Sequence, residues 1–227
     1  MSTVVFMHIG SDTLVPRLMV ASVRRHNPDF RIVQISDTTS PAIAGVDSVV
    51  RRPMSDPHIM LFRMQCFAAL PTSGPSWYLD TDMLCNRPLV FEGEPQSNVA
   101  VCVREFGKDG IFNHQFSGVD LSEHRGKTVG ALYPYIGCAT RLDDCNFWID
   151  CLAEMEALDP KYFNWFGDQE AIRRVVDSGR YKVSSLPESI YACPPGREAP
   201  GVLPAIFHYK GDRKHLMLAR ASEEGLF

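Results

Sequence analysis

No run of apolar residues in this chain approaches the ~20 that a membrane-spanning helix requires, and the opening residues lack the basic start and long apolar stretch of a secretion signal. The expectation is a soluble protein of the cytosol. Positive charge is not in excess. The 23 Lys and Arg against 27 Asp and Glu leave a net charge of −4, which argues against broad non-specific binding to nucleic acid or acidic lipid. CxxC pairs are missing too, so the seven cysteines, an odd number, read as reduced thiols rather than a disulfide framework or a zinc site. There is no internal repeat and no low-complexity linker. Residues 1–227 fit one domain with a sizeable core.

What is present alternates between two periods. Apolar, β-rich runs predict strands over residues 3–9, 31–36, 46–50, 77–79, 99–103, 133–139, 181–186 and 205–209. Helical spacing between them predicts a helix with Pro16 near its start and Leu14, Leu18 and Ser22 on one side. A second helix is predicted over 56–70, with Asp56 as N-cap and Pro57 as first residue. A third is capped by Asp143 or Asp144 and carries Phe147, Trp148, Cys151, Leu152, Met155 and Leu158, and a fourth covers 168–178. Residues 215–227 suit a brief helix or a frayed end. Such alternation predicts an α/β domain, Rossmann-like, with a mixed, mostly parallel central sheet flanked by helices. Residues 104–128 show no clear period, and so long a loop in a compact domain is usually functional or disordered.

The chemistry is concentrated at the end of one buried run, Trp77-Tyr78-Leu79-Asp80-Thr81-Asp82. On an extended chain, residues i and i+2 point to one side, so Asp80 and Asp82 are expected to face one space and to need a cation. Carboxylate oxygens suit Mg²⁺ and Mn²⁺, which commonly share their shell with substrate phosphates. Asp is also an ordinary turn residue; the hydrophobic strand that delivers the pair to a sheet edge, where open α/β folds bind ligands, favours a site.

Two other stretches add to it. His208-Tyr209-Lys210-Gly211 with Lys214 follows a predicted strand and gathers an imidazole, a flexible glycine and a cation suited to a phosphate. By itself such a histidine is more often structural. Phe166-Gly167-Asp168-Gln169 precedes an apolar-periodic run, so Asp168 reads equally as a helix N-cap or as a carboxylate presented beside a ligand.

In this order the three stretches make the chain resemble the retaining glycosyltransferases of the glycogenin and lipopolysaccharide galactosyltransferase type, which have the GT-A fold. Asp80-Thr81-Asp82 resembles the family's metal-binding DxD. Gly167-Asp168-Gln169 is similar to its Asp-Gln helix start, and His208-x-x-Gly211-x-x-Lys214 to its closing HxxGxxK. The resemblance covers nearly the whole chain. It implies transfer of a sugar, with retention, from a nucleoside-diphosphate sugar, most often UDP-linked. It also implies Mn²⁺ or Mg²⁺ held by Asp80, Asp82 and His208, with Asp80 reaching the ribose as well. Gly211 and Lys214 would meet the diphosphate, and Arg63 would brace the donor side. His8, Ile9 and Gly10 would line the nucleoside pocket, and Gly137 the donor side of the following strand. Asp168 and Gln169 would sit beside the transferred sugar. The acceptor is left open among glycan, lipid, protein and modified base, with 104–128 expected to shape the choice.

The chain departs from the family pattern in two places. Tyr135-Ile136-Gly137 stands where Asn-Ala-Gly is usual, which removes an amide near the donor sugar, and His215-Leu216 replaces a proline-tryptophan after the closing lysine. Two other functions fit parts of the pattern. A sugar-1-phosphate nucleotidyltransferase normally has a Gly-rich basic loop after its first strand, which His8-Ile9-Gly10-Ser11-Asp12 lacks. A non-catalytic nucleotide-sugar binding protein could keep the pocket; retention of all three ligand types argues against it.

Overall fold

The computed structural model describes all residues except 56, 71–73, 92, 94–96, 113, 114, 117, 118, 144, 145, 164 and 165, and of 115, 116 and 119 the backbone alone. The expected Asp56 cap and the Asp144 alternative therefore lie outside the described residues. The chain opens with β1 (Thr3–His8), α1 (Leu14–His26), β2 (Arg31–Ser36), β3 (Ser48–Arg51), α2 (Ile59–Ala68) and β4 (Ser76–Leu79). There follow β5 (Met83–Cys85), β6 (Val99–Val103), β7 (Gln115–Phe116), β8 (Val119–Asp120), α3 (Val129–Leu132) and β9 (Tyr135–Leu142). The remainder is α4 (Asn146–Glu156), α5 (Gly167–Asp177), β10 (Val183–Pro187), α6 (Glu188–Tyr191), β11 (Ile206–His208) and α7 (Lys214–Glu223).

Seven strands form the central sheet in the order β10-β6-β9-β4-β1-β2-β3. Only the two pairings made by β9 are antiparallel; the others are parallel. Both faces are covered, which explains the nearly unbroken apolar strands. Trp77 and Leu79 on β4 join α1, α7, Phe6 and Leu18 in one core. Tyr78, on the opposite face by strand alternation, packs with α2, α4 and α5 in the other. There Tyr78 meets Phe67 and Trp148 edge-on at 4.9 and 5.2 Å between centroids. Among the described residues no helix is long and apolar enough to cross a membrane.

Several local expectations are corrected. α2 begins at Ile59 after His58, so Pro57 is not its first residue. The 205–209 strand does not join the main sheet: β11 pairs antiparallel with β5, a strand the sequence pattern did not separate from β4, in a sheet of two. Of the two forms expected for residues 215–227, the brief helix is the one present, over Lys214–Glu223 and docked by Met217 and Ala221. Within the aperiodic loop, β7 pairs β8, and a turn of 3₁₀ helix spans Ser122–His124.

One irregularity shapes the sheet edge. Between Val101↔Thr140 and Cys102↔Ile136 the register jumps, so β9 advances four residues while β6 advances one. Residues 137–139 are thereby released from β6. Bulges of this kind re-aim backbone next to functional sites; in this segment the Cys138 carbonyl accepts from the Asp80 N–H at 3.0 Å and the Gly137 carbonyl accepts from Arg63.

Candidate functional site

β4 stops at Leu79, so Asp80 and Asp82 do not continue an extended strand; Thr81 and Asp82 form a turn into β5. The two carboxylates still share one space, because the turn is pinned on both sides. Cys138 O holds the Asp80 N–H, and Asp82 O accepts from the Tyr209 N–H at 2.8 Å. The β5–β11 register, with His208 opposite Met83, then sets the imidazole beside the turn. His208 Nε2 lies 3.3 Å from Asp82 Oδ1. One ligand atom from each of Asp80, Asp82 and His208 falls within 4.8 Å of the other two. Two carboxylates and an imidazole form a donor set suited to a divalent cation such as Mn²⁺ or Mg²⁺.

Charge at this cluster is balanced rather than neutral. Burial raises the Asp80 carboxyl above its ordinary value; Arg63 opposes that rise and the Asp82 charge adds to it. Burial also pushes Asp82 upward, but the hydrogen bond and charge of His208, with Lys214 beyond, hold it below the usual carboxylate range. Burial disfavours the imidazolium of His208, yet the Asp82 carboxylate that accepts its hydrogen bond opposes this and raises His208 above its usual range. A cation taken by this imidazole displaces that proton. Cys138 itself, raised by its Cys102 contact and by burial, is a neutral thiol.

Arg63 is the bridge between the cluster and α5. Projected from α2 and buried to 7% exposure, its guanidinium meets Asp80 Oδ1 at 2.7 Å and Asp168 Oδ2 at 3.5 Å, and donates to Gly137 O. Desolvation works against its charge, but Asp80 and then Asp168 overcome it and raise its affinity for the proton. Asp168 is not the N-cap. That position belongs to Phe166, a non-glycine residue at φ 61°, a conformation costing of order 1–3 kcal/mol. Its ring stacks on Tyr133 at 4.7 Å. Asp168 is instead the second helical residue; Oδ1 accepts from the Gln169 N–H at 2.8 Å and Oδ2 turns to Arg63. Gly137 leaves room for this arrangement, since a Cβ there would stand 2.5 Å from Asp168 Oδ2.

These groups line a single cavity of about 710 Å³, with Arg63, Asp80, Asp82, Gly137, Asp168, Gln169, His208, Gly211 and Lys214 all on its wall. His8, Ile9 and Gly10 are not on that wall; their neighbour Met7 is. Strand alternation accounts for this: Val4 and Phe6 face the α1 side and His8 follows them, whereas Met7 and Ile9 pack toward α2. His8 Nε2 is nevertheless buried without a hydrogen-bond partner among the described residues, and burial lowers its pKa. Gly10, at φ 111°, donates its N–H to Ser40 Oγ at 2.7 Å.

Two participants carried no local signal in the sequence. Arg104, just past β6, donates from Nε to Tyr133 O at 2.8 Å and from Nη2 to Gln169 Oε1 at 2.6 Å. Glu188, fully buried at the start of α6, accepts from the Glu105 and Phe106 N–H groups at 2.8 and 2.9 Å and stands 3.5 Å from Lys210 Nζ.

No protein-family model matches the chain, and no curated protein does. Among solved structures it is similar to the galactosyltransferase LgtC, determined in complex with donor and acceptor sugar analogues. The TM-score is 0.57 and the identity 14%, over 99% of this chain and 100% of that one. The likeness is one of fold: a mixed, mostly parallel seven-stranded sheet flanked by helices, the GT-A arrangement.

Proposed function

We propose that this protein is a divalent-cation-dependent glycosyltransferase that moves a sugar from a nucleoside diphosphate, in the first instance UDP, to an acceptor with retention of configuration. The observation that carries the proposal is the convergence of Asp80, Asp82 and His208 within 4.8 Å on the wall that also presents Asp168, Gln169 and Lys214. Those residues come from three distant parts of the chain. A cavity of about 710 Å³ is within the range of about 300–1,000 Å³ usual for small-molecule sites.

In this reading the bond between the sugar's anomeric carbon and the diphosphate oxygen breaks, and its electron pair leaves with the diphosphate. Bound Mn²⁺ or Mg²⁺ supplies Lewis-acid stabilisation of the departing diphosphate. Asp80, Asp82 and His208 would hold that ion. Lys214, at the start of α7, and the backbone at Gly211, whose φ of 66° suits glycine, offer charge and close approach to the phosphates. Arg63 orients Asp168, and Asp168 and Gln169 face the sugar. The nucleoside would extend past Met7 on the cavity wall toward the Gly10 backbone and His8, whose Nε2 has no hydrogen-bond partner among the described residues. Residues 104–128 border the sugar end through Arg104 and shape the acceptor site for a glycan, lipid head group, protein or modified base.

The test is calorimetric binding of nucleotide sugars with and without Mn²⁺, followed by donor hydrolysis. Binding to the folded state alone stabilises by about 2.7 kcal/mol at a hundred times Kd, so the true donor raises Tm while others do not. Asp82→Ala should abolish cation-dependent turnover and leave the fold intact. Undiminished turnover in a folded Asp82→Ala protein refutes the assignment.

A further inference from the structure

The cavity's cations are not equivalent. Arg63 is committed to Asp80 and Asp168, and Lys210 lies against Glu188. Lys214 has no ion pair among the described residues, but it is close enough to help lower Asp82, at the end assigned above to the diphosphate. Arg104 stands beside Gln169, assigned above to the sugar. It lines the cavity, and both hydrogen bonds its guanidinium makes go to neutral acceptors, Tyr133 O and Gln169 Oε1. No carboxylate among the described residues lies within ion-pair distance of it.

A guanidinium has five donors in a planar fork. These two bonds use Nε and Nη2, which fixes the plane of the fork and leaves Nη1 uncommitted. The surroundings favour a charged ligand there: Ile136, Val129 and Phe166 on the same wall keep the local dielectric low, which strengthens a charge–charge contact. Asp168, the acidic residue on the same wall beside Gln169, is already engaged by Arg63 and the Gln169 N–H, so it does not compensate Arg104.

We infer that Arg104 reads a carboxylate on the transferred sugar, so that the donor is a nucleoside-diphosphate hexuronic acid rather than a neutral hexose. The inference rests on the donor-sugar reading above and narrows it. Arg104 acts with Gln169: accepting from Nη2 turns the Gln169 amide so that its NH₂ is directed away from the arginine and is free for a sugar hydroxyl. The contact open to a carboxylate is one charge-assisted hydrogen bond from Nη1, oriented by the two bonds that fix the guanidinium plane.

The experiment measures Kd in the presence of Mn²⁺ for matched pairs: UDP-glucuronate against UDP-glucose, UDP-galacturonate against UDP-galactose, and GDP-mannuronate against GDP-mannose. UDP and GDP serve as references. A charge-assisted hydrogen bond of about 1.5–3 kcal/mol corresponds to roughly a tenfold to hundredfold preference for one uronate over its neutral partner. Arg104→Gln should collapse that ratio toward one, and Arg104→Lys should recover part of it. The lysine variant separates charge reading from loss of the Tyr133 O contact, which both substitutions remove. Equal affinity for each matched pair in the wild type overturns the inference while UDP binding keeps the transferase reading alive. So does a uronate preference that survives Arg104→Gln. Absence of binding by every nucleotide tested removes both.

Discussion

Replacing Arg63 by methionine is the perturbation that interrogates the site most directly, because one side chain joins three elements. The substitution keeps most of the volume and leaves Asp80 and Asp168 without their shared cation. Removing one partner of a buried ion pair costs about 3–5 kcal/mol. The Asp80 side chain retains 31% exposure and Asp168 only 9%, so Asp80 recovers water and the penalty falls mainly on Asp168. That places the expected loss near 3 kcal/mol, the low end of the same range, or a Tm lower by about 6–12 °C for a domain of this size. The protein should still fold, since domains typically have about 5–15 kcal/mol to lose. Urea titrations of the wild type, Arg63→Met, Asp168→Asn and the double variant give the coupling energy; contacting charges of this kind couple by about 0.5–3 kcal/mol. Mn²⁺ should restore more stability to Arg63→Met than to the wild type, because the carboxylates at the turn have lost their internal counter-charge. A loss below about 1 kcal/mol, or additive single and double variants, would show that the bridge does not hold the site together.

Three further outcomes follow from the same geometry. Gly137→Ala puts a Cβ 2.5 Å from Asp168 Oδ2; it should cost about 1–3 kcal/mol as an overpacking change and reduce donor turnover more than nucleoside diphosphate affinity, as steady-state kinetics beside calorimetry would read. Glu188→Ala strips two backbone N–H groups of a charged acceptor and should lower stability by roughly 1.5–3 kcal/mol, with Glu188→Gln, which keeps an acceptor oxygen, losing less; equal losses would show that the charge, not the oxygen, carries the whole effect. Asp37, whose hydrogen bonds to Ser40 and Thr39 hold it down from 3.8 to about 2, contributes stability that is complete above about pH 4 and lost as pH falls toward about 2. Asp37→Asn should flatten urea midpoints across that window, and an unchanged pH slope would sink the assignment.

Much of the architecture was legible because periodicity is local. β2 and β6 occupy the stretches their apolar runs predict, and Phe147, Trp148, Cys151 and Met155 are buried on α4 as their spacing requires. The Asp80, Asp82, His208 grouping was legible through residue type and order. What failed did so for identifiable reasons. The strand-tip geometry assumed for Asp80 and Asp82 failed because a tight turn at Thr81 carries no proline or glycine to announce it. Asp168 was open to reading as a cap because a carboxylate before a helical pattern looks alike whether it bonds its own backbone or an arginine 105 residues away.

By itself, then, the order of residues determined the layers of this protein, the two-sided burial of its sheet, and the inventory of oxygen, nitrogen and cationic groups at its disposal. Tertiary structure alone decided which of them meet. The four-against-one slip between β9 and β6, the pairing of β11 with β5, and the arginines at 63 and 104 that tie three segments into one wall depend on contacts between residues far apart in the chain. Short-range periodicity reports which way a side chain faces; it holds no information about what distant piece of backbone will arrive there.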